Sequence, residues 1–428
     1  VPDGSGGATG TSGGPAGVPA GPGTSGGPAG AGGPGLSGGS GGRAAGPSAG
    51  PGDGPGGAAG RPGGAGGGSG RAAALDGSAA LAAILAAAVP DVCSAAVAVI
   101  AVDGATAAAA AQGELVRYAG ASGDLLADRP AVRRDSIFDL ASLTKVFTTA
   151  VILSLAEEGR LDLDGPVSAW LPAGPAGATV RHLLTHTAGL PPGRRAHEEL
   201  PGDGPEVLAA RLERVLSTPP PHPAGELHLY SDVGMIMAGR IAELAGGAPL
   251  DELLHARVTG PLGLDDTGYR PAPSLRHRIA ATEDKPERAG SGCVRGEVHD
   301  ETAHGLGGVA GHAGIFSTAD DVLRFAEALR TGGAPILRPD TVAEMTRDQG
   351  VRGAAFGQGL GLRIGDPAVV GPLSSAYGHS GFTGTAFVVD PGRALTAVLL
   401  TNNVHPLRGR AGIRDLRHAV AAQALRLA

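Results

Sequence analysis

The chain has 428 residues, 42% of them hydrophobic, which is ample for a large core, yet its 76 glycines and 34 prolines lie far above ordinary globular usage. The net charge is -7, and no dense basic run with interleaved aromatics occurs, so no nucleic-acid partner is expected. The two cysteines, Cys93 and Cys293, stand far apart and form neither a disulfide framework nor a cysteine zinc site.

The glycine and proline excess is concentrated in residues 1–71, which begin VPDGSGGATGTSGGPAGVPAGPG and contain no aromatic residue. Such a segment cannot bury enough apolar surface to offset its ordering entropy, and its glycines lack the three-residue period of collagen, so a disordered tail is expected. From Ala72 onward the composition is ordinary, and residues 72–428 read as one folded region with a large insertion or two subdomains. No basic segment followed by an apolar stretch marks a secretory leader, and LAAILAAAV (Leu81 to Val89) is too short to span a bilayer. A cytoplasmic chain with no membrane partner is therefore expected; nothing in the sequence bears on oligomeric state.

In chain order, Leu75 to Ala88 predicts an opening helix, SAAVAVIAVDG (Ser94 to Gly104) a buried strand, and GELVRYAG (Gly113 to Gly120) its hairpin partner. DLASLTKVFTTAVILSLAEEG (Asp139 to Gly159) predicts a helix whose Leu143, Val146, Phe147, Ala150, Val151 and Leu155 cover so much of its circumference that protein must enclose it, with Gly159 as its stop. From Val180 to Arg330 the pattern is mostly helical, including helices at Val233 to Ala245 and Ala319 to Arg330. GTAFVVD (Gly384 to Asp390) and ALTAVLLT (Ala394 to Thr401) form a hairpin signal around Pro391-Gly392-Arg393, and Ile413 to Leu427 is a last amphipathic helix. Strands at both ends with helices between them predict an α/β (α+β) fold: one antiparallel sheet flanked by helices, carrying a helical insertion at about 135–335, with a cleft between the two.

Ser142 and Lys145 are spaced i, i+3, on one face of a helix. A serine hydroxyl is a weak nucleophile unless a base stands beside it, and burial can lower a lysine pKa enough to supply one, while first-turn N–H groups can hold an oxyanion. Alone, the pattern also fits a capping serine with a lysine that snorkels to solvent. Tyr230-Ser231-Asp232 before a helix and His379-Ser380-Gly381 at the late hairpin add two further short motifs in a fixed order.

With LDLDGPVSAWLP, HLLTHTAGLP, YSDVGMIMAGRIAEL, PLGLDDTGY and GHSGFTGTAFVVDP, these motifs make Leu75 to Leu427 resemble the serine β-lactamase and penicillin-binding protein superfamily, most closely its class C-like and D,D-peptidase branch. The resemblance implies a β-lactamase/transpeptidase-like fold and no cofactor. It implies Ser142 as acyl-accepting nucleophile, Lys145 as its general base or proton relay, and Tyr230 as the acid/base serving the leaving group. The backbone N–H groups of Ser142 and Phe382 would form the oxyanion hole, and Ser380 would complete a proton network beside His379 and Gly381. Asp232 stands where relatives often have asparagine; it either joins this network or caps the following helix, and near Lys145 it would favour the ammonium.

Relatives usually carry lysine where this chain has His379, so strong β-lactam turnover is not expected. GEVHDETAHGLGGVAGHAGIFSTADD (Gly296 to Asp321) and LTNNVHP resemble a subgroup that includes exo-acting N-acetylmuramyl-L-alanine amidases and penicillin-binding-protein-like peptidases. His299, Asp300, Glu301, His304 and His312 lie close together but lack the spacing of H-E-x-x-H, so no metal is expected; His312 and Asp300 are instead candidates for reading the sugar or peptide end of a substrate. Thr185 and His186 are expected to order the turn before Gly189. The function expected is a two-step amide hydrolase acting on a small-molecule or peptide substrate, a muropeptide above all. The alternatives are an esterase and a sensor that binds or is acylated by cell-wall fragments or β-lactams without turnover.

Overall fold

The computed structural model describes residues 67–289 and 292–428. The chain divides into Val1–Gly63 and Gly64–Ala428, and the expected tail, up to residue 66, lies outside the described residues.

The strands in chain order are β1 (Ala95–Val102), β2 (Ala105–Gly113), β3 (Phe138–Asp139), β4 (Gly268–Tyr269), β5 (Ile315–Ser317), β6 (Gly357–Gln358), β7 (Arg363–Ile364), β8 (Tyr377–Ser380), β9 (Ala386–Asp390) and β10 (Leu395–Thr401). Seven of them form an antiparallel sheet in the order β2-β1-β10-β9-β8-β7-β6, and β3-β5-β4 make a small second sheet inside the helical insertion. The two ends of the chain thus meet in one sheet, with Val99 of β1 opposite Val398 of β10.

Strand alternation explains the two layers. Ala96, Ala98 and Ile100 face a cluster closed by the first helix (Gly67–Ala88) and the last (Ile413–Leu427), through Leu81, Leu85, Leu416 and Val420. Val97 and Val99 face the larger cluster, which holds Phe147 and Val151 of the helix Thr144–Glu157 and Phe325 of the helix Ala319–Arg330; the Phe147 and Phe325 rings stack at 4.0 Å. Every residue from Thr144 to Leu155 is buried, as the all-round apolar pattern requires.

Two local expectations are corrected. The hairpin partner of β1 is the alanine-rich ATAAAAAQG of β2, not GELVRYAG, which runs irregularly with single bridges at Glu114 and Tyr118. Asp103 (φ 51°) and Gly104 (φ 77°) make the two-residue turn, whose positive-φ residues match the right-handed twist of the flanking strands. Alanine is a poor strand former by propensity, but in β2 its small side chain admits the first helix, whose Ser78 Oγ accepts from Ala109 N at 3.1 Å. That helix begins at Gly67 rather than Leu75, inside the segment expected to be tail. No helix among the described residues is long and apolar enough to cross a membrane.

Candidate active site

Ser142 lies in a 3-10 turn (Ala141–Leu143) that feeds the helix Thr144–Glu157. It does not cap that helix, whose N-cap is Leu143 with no side-chain bond. The preceding Ala141 has φ 47°, a conformation that costs an alanine on the order of 1 kcal/mol and persists only when its surroundings impose it. The buried Asp139 does so: its Oδ1 accepts from Ala141 N at 2.8 Å, and its Oδ2 from His299 N at 2.6 Å. Thr383 and Thr385 donate to the carbonyls of Asp139 and Leu140 (2.7 and 2.9 Å), tying the nucleophile turn to the loop after β8.

Lys145 is fully buried: its Nζ donates to Ser142 Oγ at 2.8 Å and to the His312 carbonyl at 3.1 Å, and forms an ion pair with Asp232 Oδ1 at 2.8 Å. Burial favours the neutral amine, but the Asp232 charge, helped by the neighbouring Tyr230 phenol oxygen, outweighs it and pushes the Lys145 pKa up to about 12. Of the two alternatives for Asp232, it points at Lys145 and favours the ammonium, so the resting pair is ionic. Asp232 is not the helix cap. Ser231 fills that role, with its Oγ accepting from Gly234 N at 3.1 Å and donating to the Pro191 carbonyl at 2.7 Å.

Tyr230 is held by the rings around it. The His186 ring packs at 4.4 Å, Lys145 Nζ lies 5.0 Å from the phenol ring centroid, and Arg363 Cζ lies at 5.1 Å. His186 Nδ1 accepts from Ser231 N at 3.2 Å, and burial keeps the imidazole pKa well below its ordinary value, so His186 orders the Tyr230 loop as a neutral ring. Thr185 bonds the Arg181 carbonyl and Thr187, the turn-ordering role expected of it.

Ser142, Tyr230, Asp232 and Phe382 share a cavity of about 280 Å³, whose wall also includes Ala141, His299, Asp300, Glu301, Ala313 and Arg408. The third motif enters it only through Phe382, 58% exposed. His379 is buried behind Tyr230 (ring centroids 6.2 Å apart), its Nδ1 donates to the Ser380 carbonyl at 3.0 Å, and burial holds its pKa well below the usual value. His379 and Ser380 stand off the wall of this cavity, with strand β8 setting the His379 ring behind Tyr230. His312 is likewise buried behind the wall, its Nε2 on Asp300 Oδ1 at 2.8 Å, and only Asp300 lines the cavity. Burial opposes ionisation of Asp300, but His312, the Ala303 N–H and Lys145 together hold its carboxyl well below the usual range.

Gly381 has no room for a side chain, since a Cβ would collide with Thr385 Oγ1 and the Leu140 carbonyl. Its carbonyl accepts from Arg417 Nη2 at 3.0 Å. The Gly381 carbonyl and the Phe382 N–H belong to one planar peptide unit, so this bond fixes the direction of the N–H, which has no acceptor among the described residues. Sequence reasoning missed Arg417, Arg408 and Glu283, three charged residues scattered along the chain without a motif, and gave no role to Asp139, which opens the quoted DLASLTK. His299 stands in a quoted segment expected to line the cleft, but His312 and Asp300 are preferred to it there as the residues that read the substrate. Among the described residues no group of three or more His, Cys, Asp and Glu could hold a metal ion.

Residues 93–422 match the family described as Beta-lactamase. The chain belongs to this family. Within it, a protein of Escherichia coli K12 named "Putative D-alanyl-D-alanine carboxypeptidase" is 31% identical over 323 residues, 66% of this chain and 73% of that protein. A Salmonella schwarzengrund protein of the same name is 31% identical over 334 residues, 69% and 75% of the two chains. Among solved structures, "EstCE1, a hydrolase with promiscuous acyltransferase activity" is 26% identical and covers 81% of this β-lactamase-family chain and 100% of its own, with TM-score 0.62. An octameric penicillin-binding protein homologue from Pyrococcus abyssi, 22% identical, covers 82% and 77% with TM-score 0.61, a likeness of fold.

Proposed function

We propose that the chain is a serine hydrolase that cleaves an amide bond of a cell-wall muropeptide through an acyl-enzyme at Ser142. The observation that carries this reading is the chain of contacts from Ser142 Oγ to Lys145 Nζ to Asp232 Oδ1, each 2.8 Å, in a cavity shared with Tyr230 and the Phe382 loop. With Lys145 held as an ammonium, the Lys145–Asp232 pair acts as one base: Nζ passes a proton to Asp232 as it takes the proton of Ser142, whose oxygen attacks the carbonyl. The N–H groups of Ser142 and Phe382 receive the oxyanion. Tyr230 gives its proton to the departing amine and regains one from the Lys145–Asp232 pair, so the site returns to its starting charge.

The buried, neutral His379 supplies no fixed cation for a β-lactam carboxylate, and the names of the curated relatives point to peptide-like substrates. Likeness to a promiscuous acyltransferase hydrolase favours a second reading, an esterase on the same machinery. Incubation with muropeptides, p-nitrophenyl esters and nitrocefin, with products followed by mass spectrometry, separates them. The amidase reading expects muropeptide cleavage that vanishes in Ser142→Ala; full activity in that variant refutes the mechanism, and turnover confined to esters selects the esterase.

A further inference from the structure

A base for the second half-reaction is the one part that the Ser142, Lys145 and Tyr230 set leaves unassigned. The Lys145–Asp232 pair that serves acylation stands on Ser142 Oγ, which is the leaving group of deacylation and must receive a proton from that pair. The water that cleaves the acyl-enzyme must lose a proton, and the cavity wall holds a second constellation suited to taking it.

His299 lines the cavity together with Ser142 and Phe382, and its Nε2 lies 2.9 Å from Oε2 of the buried Glu283. Burial works against the Glu283 carboxylate, but the bonds from His299 and Arg408 outweigh it, so Glu283 is ionised and can only accept. An acceptor at Nε2 places a proton on that nitrogen, so in the neutral tautomer the lone pair is on Nδ1. That nitrogen makes no hydrogen bond among the described residues. The ring is fixed on several sides: His299 N donates to Asp139, which also holds Ala141; Lys285 Nζ and Arg288 Nη1 donate to its carbonyl at 2.9 and 3.0 Å; and its plane stacks on Phe382 at 5.8 Å and 21°. The imidazole is thus attached to both loops that supply the oxyanion donors, and a carboxylate behind one nitrogen sets the tautomer that leaves the other open.

We infer that His299 is the catalytic base of deacylation and that Glu283 is its positioning residue. A water in the cavity gives a proton to His299 Nδ1 as its oxygen bonds to the acyl carbon. The tetrahedral intermediate collapses, the bond to Ser142 Oγ breaks, and Oγ takes a proton from Lys145. Lys145 is restored by the proton His299 gained, returned through solvent, so atoms and charge balance over the cycle. This assignment rests on the acyl-enzyme reading above.

The test uses the full chain with p-nitrophenyl acetate, whose first product reports acylation and whose steady rate reports deacylation. In His299→Asn the burst of p-nitrophenol persists while the steady rate falls by roughly 100-fold, the usual worth of a general base, and intact-mass spectrometry finds acetyl on Ser142. Hydroxylamine, a nucleophile that needs no base, restores turnover. Glu283→Gln keeps the shape and the His299 ring, guards against a His299 variant that fails to fold, and is expected to slow the steady rate with the burst intact. Wild-type burst and steady rates in both variants overturn the inference while the acyl-enzyme stands. Absence of any Ser142 adduct in the wild type and in both variants, with ester turnover retained in Ser142→Ala, overturns the acyl-enzyme reading and this assignment with it.

Discussion

Replacing Asp232 by Asn removes the counter-charge of a lysine that no water reaches. Lys145 is fully buried, and its pKa stands at about 12 against an ordinary value of 10.5. A rise of roughly 1.5 units corresponds to about 2 kcal/mol, which bounds the stabilisation of the ammonium in the fold relative to the unfolded chain. Because the folded pKa is raised, that stabilisation is fully present below the unfolded pKa and is lost only as pH rises through the folded value near 12. Asp232 Oδ1 is the nearest opposite charge, at 2.8 Å, but the carboxylate is one-third exposed, so part of its effect is screened by solvent. A double-mutant cycle of Asp232→Asn and Lys145→Met, followed by denaturant unfolding, is therefore expected to give a coupling of about 1–2 kcal/mol. The coupling should stay constant from about pH 7 to about pH 9, because Lys145 does not titrate there. Asp232→Asn should also shift the alkaline limb of the acylation rate to lower pH, since burial then acts on Lys145 with less opposition. A coupling below about 0.5 kcal/mol, or one that changes steeply across this range, would refute the ionic Lys145–Asp232 pair.

Other outcomes follow from the same geometry. Gly381→Ala forces the loop away from Thr385 and Leu140 and displaces the Phe382 N–H, so kcat should fall by roughly 100-fold or more, measured on an ester substrate. Arg417→Met leaves the Gly381 carbonyl without its donor; kcat should drop about 10-fold with KM little changed, and a phosphonate transition-state analogue should weaken in parallel, which loss of packing alone would not produce. His405, whose pKa burial pushes down to about 4, donates from Nδ1 to the Thr282 carbonyl and accepts at Nε2 from Arg117 N and Tyr118 N. Its native form is neutral while the unfolded histidine binds a proton below about 6.5, so its contribution, about 3 kcal/mol, is present above that pH and lost as pH falls toward 4. Urea titrations at successive pH values should show this slope in the wild type and a shallower one in His405→Gln.

The sequence by itself determined the two features that depend on local pattern. Alternating and all-round apolar periodicity gave the strands at both ends, the enclosed helix after Ser142 and the closing hairpin, because a side chain's direction along a strand or helix follows from backbone geometry alone. The three short motifs likewise made Ser142, Lys145, Tyr230 and Phe382 legible as one group. Tertiary structure decided the rest. Whether Lys145 rests as an amine or an ammonium depends on where the Asp232 carboxylate points, the direction of β8 sets the His379 ring behind Tyr230, and Glu283, Arg408 and Arg417 meet the site only after folding. Electrostatic and hydrogen-bonding partners are set by distance in space, and Glu283, His299 and Arg408 come together from separate loops with no spacing that a chain pattern could record. The β2 turn is the intermediate case: Asp103-Gly104 reads in the sequence as the end of a strand and not as a turn, and the alanines after it, poor strand formers, pair with β1 where their small side chains admit the first helix.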